Sequence, residues 1–146
     1  MQKRALGRTG LSIAPVVLGG NVFGWTADEK TSFEVLDRFF DAGFNTIDTA
    51  DMYSLWADGN VGGESETIIG KWLKARGRRD DVKILTKVGS DMGQGHNDLS
   101  PAWIETGLFT AFARLQRLEV QVAGPRGQAQ RTLRRGAVRI LLPEVR

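Results

Sequence analysis

The chain contains no cysteine, which excludes disulfide bridges, thiolate metal ligands and a cysteine nucleophile. Its single histidine, His96, excludes a metal centre built from clustered imidazoles. No run of about eighteen apolar residues occurs, so no membrane-spanning helix is expected. The opening Met1-Gln2-Lys3-Arg4 is not followed by the apolar stretch that a signal peptide needs. Together these absences lead us to expect a cytoplasmic protein without a metal site.

A further scarcity is local. Residues 114–146 contain no lysine, no aspartate and no aromatic residue, and they set eight arginines against two glutamates. Residues 1–113 hold twelve basic residues against fifteen acidic ones. This shift divides the chain into residues 1–113 and an arginine-rich tail, 114–146, of unassigned structure. Arg126, Arg131, Arg134, Arg135 and Arg139 have the charge for an anion-binding arm. Without interleaved aromatic residues or a recognisable binding fold, a solvated tail is the better reading, and a nucleic-acid partner is not expected.

What is present is ordinary for a globular protein. The 146 residues are 41% apolar and 25% charged, enough for one domain with a packed core. In "LGRTGLSI", residues 6–13, Arg8-Thr9-Gly10 sits between short apolar pieces and predicts a hairpin. The run Val16-Val17-Leu18, ending at Gly19-Gly20, predicts a fully buried strand. Thr26 with Glu29 forms a capping box, and Val35, Leu36, Phe39 and Phe40 predict a helix over residues 28–42.

Phe44–Asp48 predicts a second strand with Phe44, Thr46 and Asp48 on one face. After a long loop, Ile68, Ile69, Trp72 and Leu73 mark a second helix. Glu64 and Glu66 lie near its positive end, Lys71, Lys74 and Arg76 near its negative end, and Gly77 closes it. Val82–Lys87 predicts a third strand. Ser100-Pro101 opens a third helix that continues through Ile104, Leu108, Ala111, Phe112, Leu115 and Leu118. "LEVQV", residues 118–122, is a candidate fourth strand.

Alternating strands and helices imply a parallel α/β architecture. A doubly wound sheet would place G-x-G-x-x-G after its first strand, and "LGGNVFGW" does not fit that pattern. A (β/α) barrel places its chemistry at the C-terminal strand ends, where Asp48 and Lys87 both fall. A complete barrel takes ~250 residues, so the expectation is a partial (β/α)8 TIM barrel with three to four βα units.

On one rim, Asp48 and Lys87 would lie together, with Tyr53 on the intervening loop folding back over them. A phenol, with a free pKa of about 10, seldom releases its proton at neutral pH unless a cation stabilises the phenolate. Lys87 can supply that charge and Asp48 can hold the ammonium in place, which makes the trio a general acid for a developing alkoxide. Taken singly, each residue has an ordinary reading: aspartate as a turn residue, tyrosine as packing, lysine as a solvated strand end.

The stretches "LGRTGLSIAPVVLGG", "AGFNTIDTADMY", "GESETIIGKWLKARGRRDDVKILTKVG" and "HNDLSPAWI" together resemble the N-terminal part of the aldo-keto reductase superfamily, over roughly residues 4–104. The resemblance implies a barrel that binds NADPH and reduces aldehydes or ketones to alcohols. It matches Asp48, Tyr53 and Lys87 to three members of the family's catalytic tetrad, with Tyr53 as proton donor. It places Gly19, Gly20 and Asn21, with Asp48, along the nicotinamide and substrate pocket, and makes Phe23, Trp25 and Trp56 candidate pocket walls.

The fourth tetrad member is a histidine in a segment resembling "DLYQxHxPD", and no such segment follows residue 104. His96 precedes the Ser-Pro helix start and reads as an exposed loop residue. The family's later cofactor-gripping motifs are also missing, and the arginine-only tail looks like an out-of-frame reading of a GC-rich gene. The expectation is therefore a truncated reductase, weakly active or inactive, acting on a small carbonyl substrate. Open barrel edges would favour self-association. The alternative is a non-catalytic binding or regulatory subunit.

Overall fold

The computed structural model describes residues 2–77 and 80–116, together with the backbone of two short strands at 119–120 and 137–138. The N-terminal hairpin forms as the turn residues predict: β1 (Arg4–Ala5) pairs antiparallel with β2 (Ser12–Ile13). The Thr9 hydroxyl donates to the Leu6 carbonyl at 2.6 Å and closes the turn.

A three-stranded parallel sheet follows, in the order β3 (Leu18–Gly19), β4 (Thr46–Asp48), β5 (Lys83–Leu85). The register pairs Gly19 with Asp48 and Asp48 with Leu85, so the three strands end level with one another. Val16 and Val17, expected inside a fully buried strand, precede the paired residues and are 48% and 38% exposed. Pairing begins only at Leu18, and the central, buried position of the sheet belongs to β4.

Helix α1 (Glu29–Asp41) starts one residue later than its apolar periodicity predicts, and its cap is not the Thr26 box. Asp28 caps it instead, its carboxylate accepting from the Thr31 N–H at 2.8 Å. Leu36 faces the core, and Phe39 stacks on Phe44 with centroids 4.8 Å apart. Helix α2 (Glu64–Arg76) buries Ile68, Ile69, Trp72 and Leu73, and ends at Gly77 in the left-handed conformation. Helix α3 (Pro101–Leu115) is capped by the Ser100 hydroxyl, which accepts from the Trp103 N–H, and has proline in its first turn. It continues through Arg114 and Leu115, past the composition shift at residue 113.

Phe23, Leu36, Ile47, Ile69, Trp72, Leu73, Val82 and Leu115 form one cluster, with α1 and α2 packed around the sheet and α3 packed on α2. Of the candidate fourth strand, Glu119–Val120 forms β6, which pairs in parallel with β7 (Ala137–Val138) and not with the three-stranded sheet. Leu118, Gln121 and Val122, and the tail residues Arg126, Arg131, Arg134, Arg135 and Arg139, lie outside the described residues. Among the described residues no helix is long and apolar enough to cross a membrane.

Helices α2 and α3 approach closely at Gly70, where a Cβ would stand 1.9 Å from the Arg114 carbonyl oxygen. Alanine normally stabilises a helix interior over glycine by up to ~1 kcal/mol. Here the added methyl must push α3 away from α2. We expect Gly70→Ala to destabilise the fold by about 1–3 kcal/mol, measured by urea denaturation, the opposite sign to helix propensity.

Candidate active site

Period-two alternation in β4 sends Ile47 into the apolar cluster and leaves Thr46 and Asp48 on the other face. Asp48 therefore emerges at the C-terminal end of the central strand. Beyond β5 the parallel pairing continues: the Thr49 N–H donates to the Leu85 carbonyl at 2.8 Å and the Asp51 N–H to the Lys87 carbonyl at 3.1 Å. These bonds bring Lys87 level with the end of β4.

The lysine ammonium uses its three donors on this rim. It reaches both Asp48 carboxylate oxygens at 2.8 Å and the Thr49 carbonyl at 2.7 Å. The Tyr53 hydroxyl donates to Asp48 Oδ2 at 2.8 Å, and the ammonium nitrogen lies 4.6 Å from the Tyr53 ring centroid. The structure thus brings Asp48, Tyr53 and Lys87 into one hydrogen-bonded cluster. About half of the Lys87 side chain and a third of Asp48 remain exposed, so a solvent-borne molecule can reach them.

The loop that presents Tyr53 is held from two sides. Successive turns run through it, with the Tyr53 N–H donating to Ala50 O and the Leu55 N–H to Met52 O. Ser54 adopts φ +70°, a left-handed conformation costing a non-glycine residue roughly 1–2 kcal/mol. Its buried hydroxyl donates to the Phe23 carbonyl at 2.8 Å, and the Asn60 amide donates to Gly24 O and Ser54 O. The Tyr53 loop is in this way stapled to the loop after β3.

The candidate pocket residues divide. Trp25 and Trp56 are about half exposed and meet edge to face at 5.7 Å, and Trp56 also lies 6.3 Å from the Tyr53 ring. Phe23 is no pocket wall: it is 1% exposed and belongs to the core, because the turn after β3 folds it inward against α2. Gly19 and Asn21 are exposed at the end of β3, whereas Gly20 is buried between the sheet and α2. His96 is exposed in its loop, as expected, with Nδ1 3.2 Å from the Gln94 carbonyl.

Beneath the trio lies a polar layer that the motif reading did not single out. Glu66 is fully buried, accepting from the Thr86 hydroxyl at 2.5 Å and from the Arg114 guanidinium at 3.1 Å. Asp51 is 6% exposed, and its Oδ1 has no hydrogen-bond partner. Arg114 lies over Gly63, where a Cβ would come within 2.1 Å of the guanidinium carbon. Helix-end charge alone accounts for Glu66 in the sequence, but its spacing to Ile69 and Leu73 puts it on the apolar face, and that signal could have found it.

Burial pushes the Glu66 carboxyl above its ordinary range, against the opposing pull of the Thr86 hydrogen bond and Arg114. Asp51 is raised for the same reason, opposed by the Met52 N–H and Arg114. A raised folded value means that the folded state binds the proton more tightly. The contribution of Glu66 is then fully present below its ordinary value of 4.5 and is lost as pH rises through the raised one. Glu66→Gln cannot titrate, and Asp51 is common to both proteins. Urea midpoints of parent and variant should therefore change in the parent's favour as pH falls from about 8 to about 4.

A family model for the Aldo/keto reductase family matches residues 15–122. The chain is 60% identical, over 93 residues, to an 11.2 kDa protein from the crtE 3′ region of Pseudescherichia vulneris, a match covering 63% of this chain and 90% of that protein. It is 40% identical over 86 residues to the NADP(+) aryl-alcohol dehydrogenase of Phanerodontia chrysosporium, covering 53% of this chain and 20% of that enzyme. Aldo-keto reductase AKR11C1 from Bacillus halodurans, in its holo form, superimposes with a TM-score of 0.69 at 32% identity, over 84% of this chain and 39% of that one. The chain thus spans less than half the length of either of the last two. The family resemblance and the partial α/β barrel fold read from the motifs are both borne out.

Proposed function

Because this chain belongs to the aldo/keto reductase family, we propose that it is an NADP(H)-dependent oxidoreductase that reduces an aldehyde or ketone to an alcohol, with Tyr53 as the proton donor. The observation that carries this reading is the shared carboxylate: Asp48 binds the Lys87 ammonium with both oxygens and the Tyr53 hydroxyl with one of them. The named cofactor of the fungal dehydrogenase supports the choice of NADP(H).

The rim fits the nicotinamide end of such a cofactor. A Cβ at Gly19 would meet only the Asn21 amide oxygen, at 3.3 Å, so the exposed end of β3 offers bare backbone on which a flat ring can rest. Gly19 and Asn21 would hold that end, with Asp48 beside them and Trp25 and Trp56 on the loops around it. When bound, the reduced cofactor supplies a hydride to the carbonyl carbon.

The remaining chemistry falls to this chain's own side chains. As the carbonyl oxygen gains negative charge, the Tyr53 hydroxyl turns to it from Asp48 Oδ2, its acceptor in the free protein, and the O–H bond breaks as the proton passes to the substrate oxygen. The Lys87 ammonium, 4.6 Å from the ring, stabilises the phenolate that remains, and a proton from water restores the phenol. Asp48 keeps the ammonium in place throughout. Turnover is expected to be slow, because the chain's only histidine, His96, stands in an exposed loop and makes no bond to the trio.

Cofactor oxidation with a reactive aldehyde, followed at the nicotinamide absorbance, tests this assignment. Tyr53→Phe should lower the rate by about 100-fold or more while leaving cofactor affinity nearly unchanged. A rate indifferent to that substitution would remove Tyr53 from the mechanism.

A further inference from the structure

Two neighbouring side chains in the first turn of α2 touch the ends of all three parallel strands. Ser65 is fully buried, and its hydroxyl donates to the Gly20 carbonyl at 2.8 Å. The Thr49 hydroxyl lies 2.8 Å from the Ser65 hydroxyl oxygen. A hydroxyl has one proton, and that of Ser65 is committed to Gly20, so Thr49 donates to Ser65. The next residue, Glu66, accepts from the Thr86 hydroxyl at 2.5 Å. Gly20 follows β3, Thr49 follows Asp48 at the end of β4, and Thr86 precedes Lys87 after β5.

A helix covering a parallel sheet needs only an apolar face, and replacing a buried charged pair with hydrophobic packing is often neutral or stabilising. Glu66 and Ser65 therefore have no evident basis in core stability alone. Their bonds have a geometric consequence instead. They set the offsets between strand ends from which the Lys87 ammonium reaches both oxygens of Asp48. Arg114 enters from α3, pairs with Glu66 Oε2 and leaves Oε1 to Thr86.

We propose that Ser65 and Glu66 are positioning residues for the Asp48, Tyr53 and Lys87 trio, acting as a polar clamp between α2 and the three strand ends. This inference rests on the proton-donating reading of the trio. Glu66 acts on Lys87 through Thr86, and Ser65 acts on Asp48 through Thr49 and on the β3 end through Gly20. Neither touches the reacting atoms.

Tyr53 is the only tyrosine of the chain, so the full-length protein labelled with tyrosine 13Cζ gives a single ring resonance that reports on the trio. Lys87→Met removes the cation beside the ring and sets the benchmark displacement. Thr86→Val, Glu66→Gln and Ser65→Ala should each displace the resonance, the first two in the direction of Lys87→Met. Thr86→Ser, which keeps the hydroxyl, should restore the parent position. Leu36→Ala, which opens the core away from these bonds, should lower stability without moving the signal.

Spectra of Thr86→Val and Ser65→Ala that superimpose on the parent, with Lys87→Met displaced, would overturn the clamp and leave the trio standing. Thr86→Val decides for Glu66 even if Glu66→Gln fails to fold. An unmoved resonance in Lys87→Met would show that the trio is not assembled, and both readings would fall.

Discussion

The bond between Lys87 and Asp48 is the constraint on which the candidate site depends. An ammonium with three donors is satisfied by two carboxylate oxygens and one backbone carbonyl, all within 2.8 Å. Nothing is left over to let it rotate away from the Tyr53 ring. The pair is half exposed, so solvent screens it and its contribution to stability is small. Its effect is one of geometry: it places a cation beside a phenol at an exposed rim of the sheet.

That geometry needs strands that end level. Parallel pairing carries no local turn to enforce register, and the sheet has only two to three paired residues per strand. The register is backed from behind by a buried polar layer, in which Glu66, Thr86 and Arg114 are hydrogen-bonded together and Asp51 keeps one unpartnered oxygen. Such groups are costly to bury, and the raised carboxyls record that cost. In a low-dielectric setting the same bonds are strong and directional, which suits a scaffold that must hold atoms to within a fraction of an ångström.

The helices were the most legible part of the sequence, because apolar residues at helical spacing and local caps are short-range signals. Ser100-Pro101 and Gly77 each act where their chemistry predicts. The Thr26 box failed because Asp28, closer to the first turn, outcompetes it for the free N–H groups. Burial was less legible. Val16 and Val17 read as core by composition, yet they stand before the paired residues, and Phe23 reads as a loop aromatic, yet it turns into the core.

The sequence by itself determined the chemistry available to this protein. Without cysteine and with a single histidine, the chemistry falls to hydroxyls, carboxylates, amines, guanidinium groups and one phenol, and the motif order identifies the family to which the chain belongs. The tertiary structure decided which of them meet. Asp48 and Lys87 are 39 positions apart and become partners only through parallel register, and Glu66, which its spacing already sets on the apolar face of α2, gains its cationic partner only because α3 brings Arg114 over the start of α2. Residue types are local and can be read along the chain, whereas register and close approach are set by bonds between segments far apart in it.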